Sequence, residues 1–131
     1  MVQDVGLADR VHFFGKVSES RKQELLLRCH CLAMPSRGEG FGLVYLEAMR
    51  LGRPCLVSTL DAGREVVHPP EAGLAADPSN PLALADAICR LLTEGSDLQT
   101  LSLQARRRYD SYYTASHFQN RLLKALASVG I

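Results

Sequence analysis

The chain of 131 residues is 47% hydrophobic and 22% charged, with a formal net charge of +1. It has enough material for one globular core without disulfides or a structural metal, and it is too short for two full domains. Charge so near zero excludes attachment to nucleic acid or membrane through bulk electrostatics. It is unevenly spread, since residues 100–131 set Arg106, Arg107, Arg108, Arg121 and Lys124 against Asp110 alone, leaving a basic tail on a mildly acidic body.

Short apolar runs alternate with longer helical ones. Val11-His12-Phe13-Phe14, stopped by Gly15, predicts a first strand, and Ser18 then opens a helix whose apolar face is Leu25, Leu26 and Cys29. Cys31 to Met34, stopped by Pro35-Ser36, predicts a second strand. After the glycine-rich stretch Arg37-Gly38-Glu39-Gly40-Phe41-Gly42, residues Leu43 to Leu51 read as a helix ended by Gly52. Pro54 to Ser58 is a third strand, its proline at the first position where a missing N–H is tolerated.

Further on come a short segment around Glu65-Val66-Val67, a break at Pro69-Pro70 and an apolar stretch from Gly73 to Ala76. From Pro81 the spacing is helical, with Leu82, Leu84, Ala85, Ile88, Leu91 and Leu92 on one face and Gly95 as the stop. Two more helices are predicted over about 97–109 and 115–129, and the last bears a stripe of Phe118, Leu122, Leu126 and Val129. Strands separated by such helices imply right-handed parallel crossovers, hence an α/β fold: a Rossmann-like open parallel sheet flanked by helices.

No apolar run approaches the roughly 18 residues of a membrane span, and Met1-Val2-Gln3-Asp4 does not begin a secretory leader, so a cytoplasmic location is expected. Cys29, Cys31, Cys55 and Cys89 form no CxxC pair and read as reduced thiols.

Ligands of open α/β sheets sit beyond the carboxyl ends of the strands, where the glycine-rich stretch falls. It precedes a helix and so presents backbone N–H groups and a positive helix end to an anion. A dinucleotide fingerprint begun at Gly38 needs glycine at Leu43, and the Gly-Lys-Ser/Thr of a P-loop is absent. The stretch offers instead two carboxylates, Glu39 in the loop and Glu47 in the helix, the second about 7–8 Å along the axis at about 1.5 Å per residue. Two such acids suit the hydroxyl pairs at either end of a nucleotide sugar, with the helix end on its diphosphate. The plainer reading makes Glu39 a solvated loop residue and Glu47 a helix residue paired with Arg50.

The segment Pro35 to Pro54, with Glu39-Gly40-Phe41-Gly42-Leu43 and Glu47 at its centre, resembles the hallmark of the retaining group 1 (family 4) glycosyltransferases of GT-B fold. Val11 to Val17 before it, and Ala62-Gly63-Arg64-Glu65-Val66-Val67 with Gly73-Leu74 after it, resemble the family's flanking segments, so the likeness covers roughly residues 5–95.

The resemblance implies the C-terminal half of a GT-B donor domain over residues 1–131, with C-terminal helices from about 97. It casts Glu39 as the catalytic carboxylate near the reacting sugar carbon. The N–H groups of Gly40, Phe41, Gly42 and Leu43 would face sugar and diphosphate, Glu47 would bind the ribose hydroxyls, and Val17, Glu19 and Lys22 would border the base of a UDP- or GDP-sugar. Glu65 is expected to be structural, as a helix-start cap. With no Asp-x-Asp pattern, neither metal nor cofactor is expected.

The family's complete enzymes have two domains, so the resemblance also implies an absent N-terminal acceptor domain or partner chain, and a fragment inactive alone. The last helix would pack toward that domain or self-associate, and its basic residues offer weak peripheral contact with the inner membrane surface. Two rival readings are a non-catalytic α/β nucleotide-binding or interaction module, and a dinucleotide-dependent oxidoreductase fragment with Asp61 as ribose acid.

Overall fold

The run Cys55-Leu56-Val57-Ser58 is apolar almost throughout, the signature of a strand buried on both faces. It becomes the middle strand of a three-stranded parallel sheet in the computed structural model, which describes residues 4–93 and 95–130. The strands are β1 (Leu32–Ala33), β2 (Cys55–Ser58) and β3 (Gly73–Ala76), in that spatial order, with Leu32 opposite Cys55 and Leu56 opposite Leu74. Gly73 lies so close to its neighbour that a β-carbon there would stand 1.9 Å from the Cys55 carbonyl oxygen.

Among the described residues six helices complete the order: α1 (Glu19–Arg28) before β1, α2 (Leu43–Arg50) between β1 and β2, α3 (Gly63–Val67) between β2 and β3, then α4 (Pro81–Leu92), α5 (Ser96–Tyr112) and α6 (Ala115–Ser128). Side-chain alternation along β2 divides the core. Cys55 and Val57 join Tyr45, Ala48 and Met49 of α2, Val66 and Val67 of α3, and Ala105 of α5 on one face. Leu56 joins Leu74, Ala76 and the α4 residues Ala87 and Leu91 on the other. The predicted layers, helices on both sides of a parallel sheet, are those observed.

Local chemistry explains the helix starts. Ser18 accepts the Arg21 N–H at 3.2 Å to cap α1, and Asn80 accepts those of Leu82 and Ala83 ahead of α4, where Pro81 loses no bond.

Three expectations are corrected. Residues 11–14 form no strand: β1 ends the sheet on its side, so this run has no ladder to join, and Phe13 and Phe14 are 80% and 51% exposed. α4 stops at Leu92 rather than at Gly95: Thr93 makes the last helical bond, its N–H and hydroxyl both donating to the Cys89 carbonyl, and then turns the chain out at ψ 111°. Its buried side is Ala87 and Leu91, with Ala83 and Leu84 half-buried, while Leu82, Ile88 and Leu92 face outward. Met1 to Gln3, part of the leader reading, lie outside the described residues.

Three arginines of the tail, Arg106, Arg108 and Arg121, serve this chain's own helix ends. Arg108, its side chain only 11% exposed, donates to the carbonyls of Val66 at 2.7 Å and Glu65 at 2.8 Å and pairs with Glu71 at 3.1 Å, which fastens α5 to the end of α3. Arg106 donates to the Arg50 carbonyl at the end of α2, and Arg121 to the Tyr112 carbonyl at the end of α5. Cationic donors at helix C-termini also offset the negative pole of the dipole. Helix α6 buries no residue, and Phe118, Leu122 and Val129 of the predicted stripe stand open. Among the described residues no helix is long and apolar enough to cross a membrane.

Candidate functional site

The glycine-rich loop begins where β1 ends and delivers the chain into α2. Its pivot is Gly42, buried at the mouth of the helix with φ +81°, a left-handed conformation that glycine adopts without penalty. Space demands glycine as well, since a β-carbon at 42 would stand 2.4 Å from the Tyr45 ring and 3.2 Å from Glu39 Cγ. Tyr45 is fully buried and donates its hydroxyl to the Met34 carbonyl at 2.7 Å. Burial, followed by the nearby charge of Asp61, pushes its pKa up to about 12.

Loop and sheet are tied at a second point. Asp61, just past β2, accepts the Ser36 hydroxyl at 2.7 Å with one oxygen and the Gly63 N–H at 2.9 Å with the other, while the Ala62 N–H donates to the Glu39 carbonyl at 3.3 Å. Asp61 therefore caps the start of α3, the task expected of Glu65, whose side chain is exposed. It is also committed to Ser36 and Gly63 rather than standing open as a ribose acid.

Glu39 is half-buried in this loop, and its carboxylate accepts the Phe41 N–H at 3.3 Å. That amide thus serves the catalytic candidate in this state. The Phe41 ring meets Tyr113, at the end of α5, edge-on with centroids 6.4 Å apart.

One turn into α2 the second acid faces a cleft of about 540 Å³ between α1, α2 and α5, lined by Glu19, Lys22, Leu26, Leu43, Glu47 and Tyr109 among others. Lys22 lies 3.0 Å from Glu47 and 2.7 Å from Glu19, and these two carboxylates, Glu19 first, raise its pKa. Glu47 is thus paired across to α1 and not with Arg50 on its own helix. Of the residues expected at a donor site, Glu19, Lys22, Leu43 and Glu47 line this one cleft. Glu39, Gly40, Phe41 and Gly42 lie beyond it, at the head of the same helix. Val17, half-buried just before the Ser18 cap, is not among the cleft's lining residues.

Tyr45 and Tyr113, which the sequence did not single out, hold this arrangement together with Asp61, which the sequence offered only as a ribose acid. A signal existed for Asp61, an acid two residues before a glycine at a helix start. None existed for Tyr45, which occupies an ordinary core position of α2.

The sequence matches the family described as glycosyl transferases group 1 over residues 1–108. It is 33% identical over 129 residues to the phosphatidyl-myo-inositol mannosyltransferase of Mycobacterium leprae, covering 95% of this chain and 34% of that protein. Among solved structures, sucrose-phosphate synthase of Thermosynechococcus elongatus superposes with TM-score 0.83 at 32% identity, over 98% of this chain and 33% of the other. HepE of Anabaena, solved with UDP, shares the fold at TM-score 0.86 and 23% identity, over 97% and 35%. The chain spans about a third of the length of the relatives it matches. It belongs to the group 1 glycosyltransferases, with the helix-flanked parallel sheet of their GT-B fold.

Proposed function

We propose that the chain supplies the donor side of a glycosyl transfer centre, in which a sugar passes from a nucleoside diphosphate to an acceptor hydroxyl with retention at the anomeric carbon. The observation that carries this reading is one helix with a carboxylate at each station: Glu39 packed against its head at Gly42, and Glu47 one turn along in the cleft. Glu39 stands near the reacting carbon, where positive charge develops as the bond to phosphate lengthens. The N–H groups of Gly40, Gly42 and Leu43, with the positive end of α2, take up negative charge on the departing diphosphate. The Phe41 N–H joins them when Glu39 turns to the sugar. Glu47 accepts from the ribose hydroxyls, and Glu19 and Lys22 border the base, with Val17 behind them.

HepE is solved with UDP-glucose as well as with UDP, and the M. leprae relative is named a mannosyltransferase, so UDP- and GDP-sugars are the donors to try. Ligand-observed NMR titration tests the reading: saturable binding of a nucleotide sugar, abolished by Glu47→Ala, supports it, and no binding of either class refutes it. The chain alone is expected to bind donor without transferring sugar, and robust turnover with an acceptor would overturn that part.

A further inference from the structure

Tyr113, which ends α5, borders both parts of the candidate site. It lines the cleft that Glu47 faces, and its ring meets that of Phe41 in the glycine-rich loop edge-on, with centroids 6.4 Å apart. The Tyr113 side chain is itself anchored. Arg108 lies over the ring at 5.8 Å and Arg121 at 6.0 Å, while the hydroxyl donates to the Val66 carbonyl at 3.4 Å and accepts from Arg108 at 3.5 Å. Around Phe41 the loop has less support. Gly38, Gly40 and Phe41 are exposed, a β-carbon at Gly38 or Gly40 would meet nothing within 4 Å, and Phe41 belongs to neither side of the core.

A turn built on glycines has many backbone states open to it, and holding one of them costs entropy. An edge-on ring pair is strong enough to select among such states. The Phe41 N–H also donates to the Glu39 carboxylate, so fixing the Phe41 ring fixes the peptide beside that acid. We propose that Tyr113 is a positioning residue, which holds the turn Glu39-Gly40-Phe41 through the Phe41 ring and so governs how tightly the sugar of a donor is held, apart from its nucleotide. The inference rests on the donor-site reading above, and it adds a residue that acts through Phe41. In that reading the cleft and the helix end meet the nucleoside and diphosphate, which a bare nucleoside diphosphate also carries, whereas only a nucleotide sugar engages Glu39. Losing the hold on the turn therefore falls on the sugar more than on the nucleotide.

The test is a set of NMR titrations of the full chain with UDP beside UDP-glucose and GDP beside GDP-mannose, read as the ratio of the two affinities in each pair. Tyr113→Leu is expected to lower the nucleotide-sugar affinity about fivefold relative to that of the bare nucleotide, the effect of one ring pair. Tyr113→Phe keeps the ring and is expected to stay within about twofold of wild type. Phe41→Leu breaks the pair from the exposed side and is expected to match Tyr113→Leu, and the double variant is expected to lose no more than either single one. Backbone order parameters at Gly40 and Phe41 are expected to fall in Tyr113→Leu and not in Tyr113→Phe. Amide spectra of each variant check the fold, and Phe41→Leu carries the test if Tyr113→Leu does not fold. Unchanged ratios, equal weakening of both members of a pair, or unchanged order parameters overturn the positioning role while the donor site stands. If wild type binds none of the four ligands, the donor-site reading fails and this inference fails with it.

Discussion

The ring of Tyr45 closes against the backbone of Gly42, leaving no volume for any side chain at that position: a β-carbon would fall 2.4 Å from both Cδ2 and Cε2. Gly63 borders the same ring from α3, where a β-carbon would fall 2.6 Å from Cε2. One aromatic side chain thus sets both the turn that aims the α2 N-terminus and the approach of the next helix.

Gly42→Ala meets this contact and a left-handed φ together. It is expected to destabilise the fold by about 2 kcal/mol or more, read from the urea midpoint. In a Tyr45→Leu background the same change is expected to cost less, because part of its penalty is the ring. Equal costs in the two backgrounds would show that the ring contact does not matter.

Arg107 and Arg108 are neighbours in sequence with different surroundings. Arg108 has its guanidinium engaged by two carbonyls and Glu71 and lies over the rings of Tyr112 and Tyr113, at 5.3 and 5.8 Å from their centroids, whereas Arg107 is exposed. Arg108→Ala removes the charged donor from two carbonyls of α3, of which Val66 keeps the Tyr113 hydroxyl at 3.4 Å, and leaves Glu71 without its guanidinium; it is expected to lower stability by about 3 kcal/mol. Arg107→Ala is expected to stay within about 0.5 kcal/mol of wild type. Urea denaturation of the two variants side by side decides it, and similar losses would refute the fastening role of Arg108.

The contrast between these arginines marks how far the sequence could be read. The layers, β2, the cap at Ser18, the start of α4 at Pro81 and the glycine turn into α2 were legible because each depends on neighbours within a few residues. The failures were non-local. Val11 to Phe14 has strand composition but no partner strand, and ladder pairing cannot be read from a segment's own residues. The basic tail looked like a surface charge because its acceptors, the carbonyls of Glu65, Val66 and Arg50, lie some 40 to 56 residues away. Within the site, the two glutamates were found through their spacing, while the Lys22 pairing of Glu47 depends on how α1 docks beside α2.

Asp61 connects the loop after β1 to the loop after β2. Asp61→Ala removes the acceptors of Ser36 and of the Gly63 N–H, and an expected loss of about 1–2 kcal/mol follows from two bonds of ordinary strength. The more specific expectation concerns the Ala62 N–H, bonded to the Glu39 carbonyl, whose hydrogen exchange is expected to accelerate as the glycine loop loosens. Unchanged exchange at Ala62 in the variant would sever Asp61 from the ordering of that loop.

The buried phenol of Tyr45 gives the fold an alkaline limit with a definite sign. Its pKa stands at about 12 in the folded chain, raised chiefly by burial, against about 10 for an exposed tyrosine. Between these values the folded state holds a proton that the unfolded state has released, so stability falls as pH rises. The contribution is intact below about pH 10 and is lost as pH rises through the folded value. Tyr45→Phe loses the bond to the Met34 carbonyl, about 1 kcal/mol at pH 8, but has no proton to give up. The gap between the two proteins in urea midpoint is therefore expected to narrow from pH 10 upward and to reverse on the approach to pH 12. Midpoints that run parallel over this range would mean that Tyr45 ionises no differently in the folded chain than in the unfolded one.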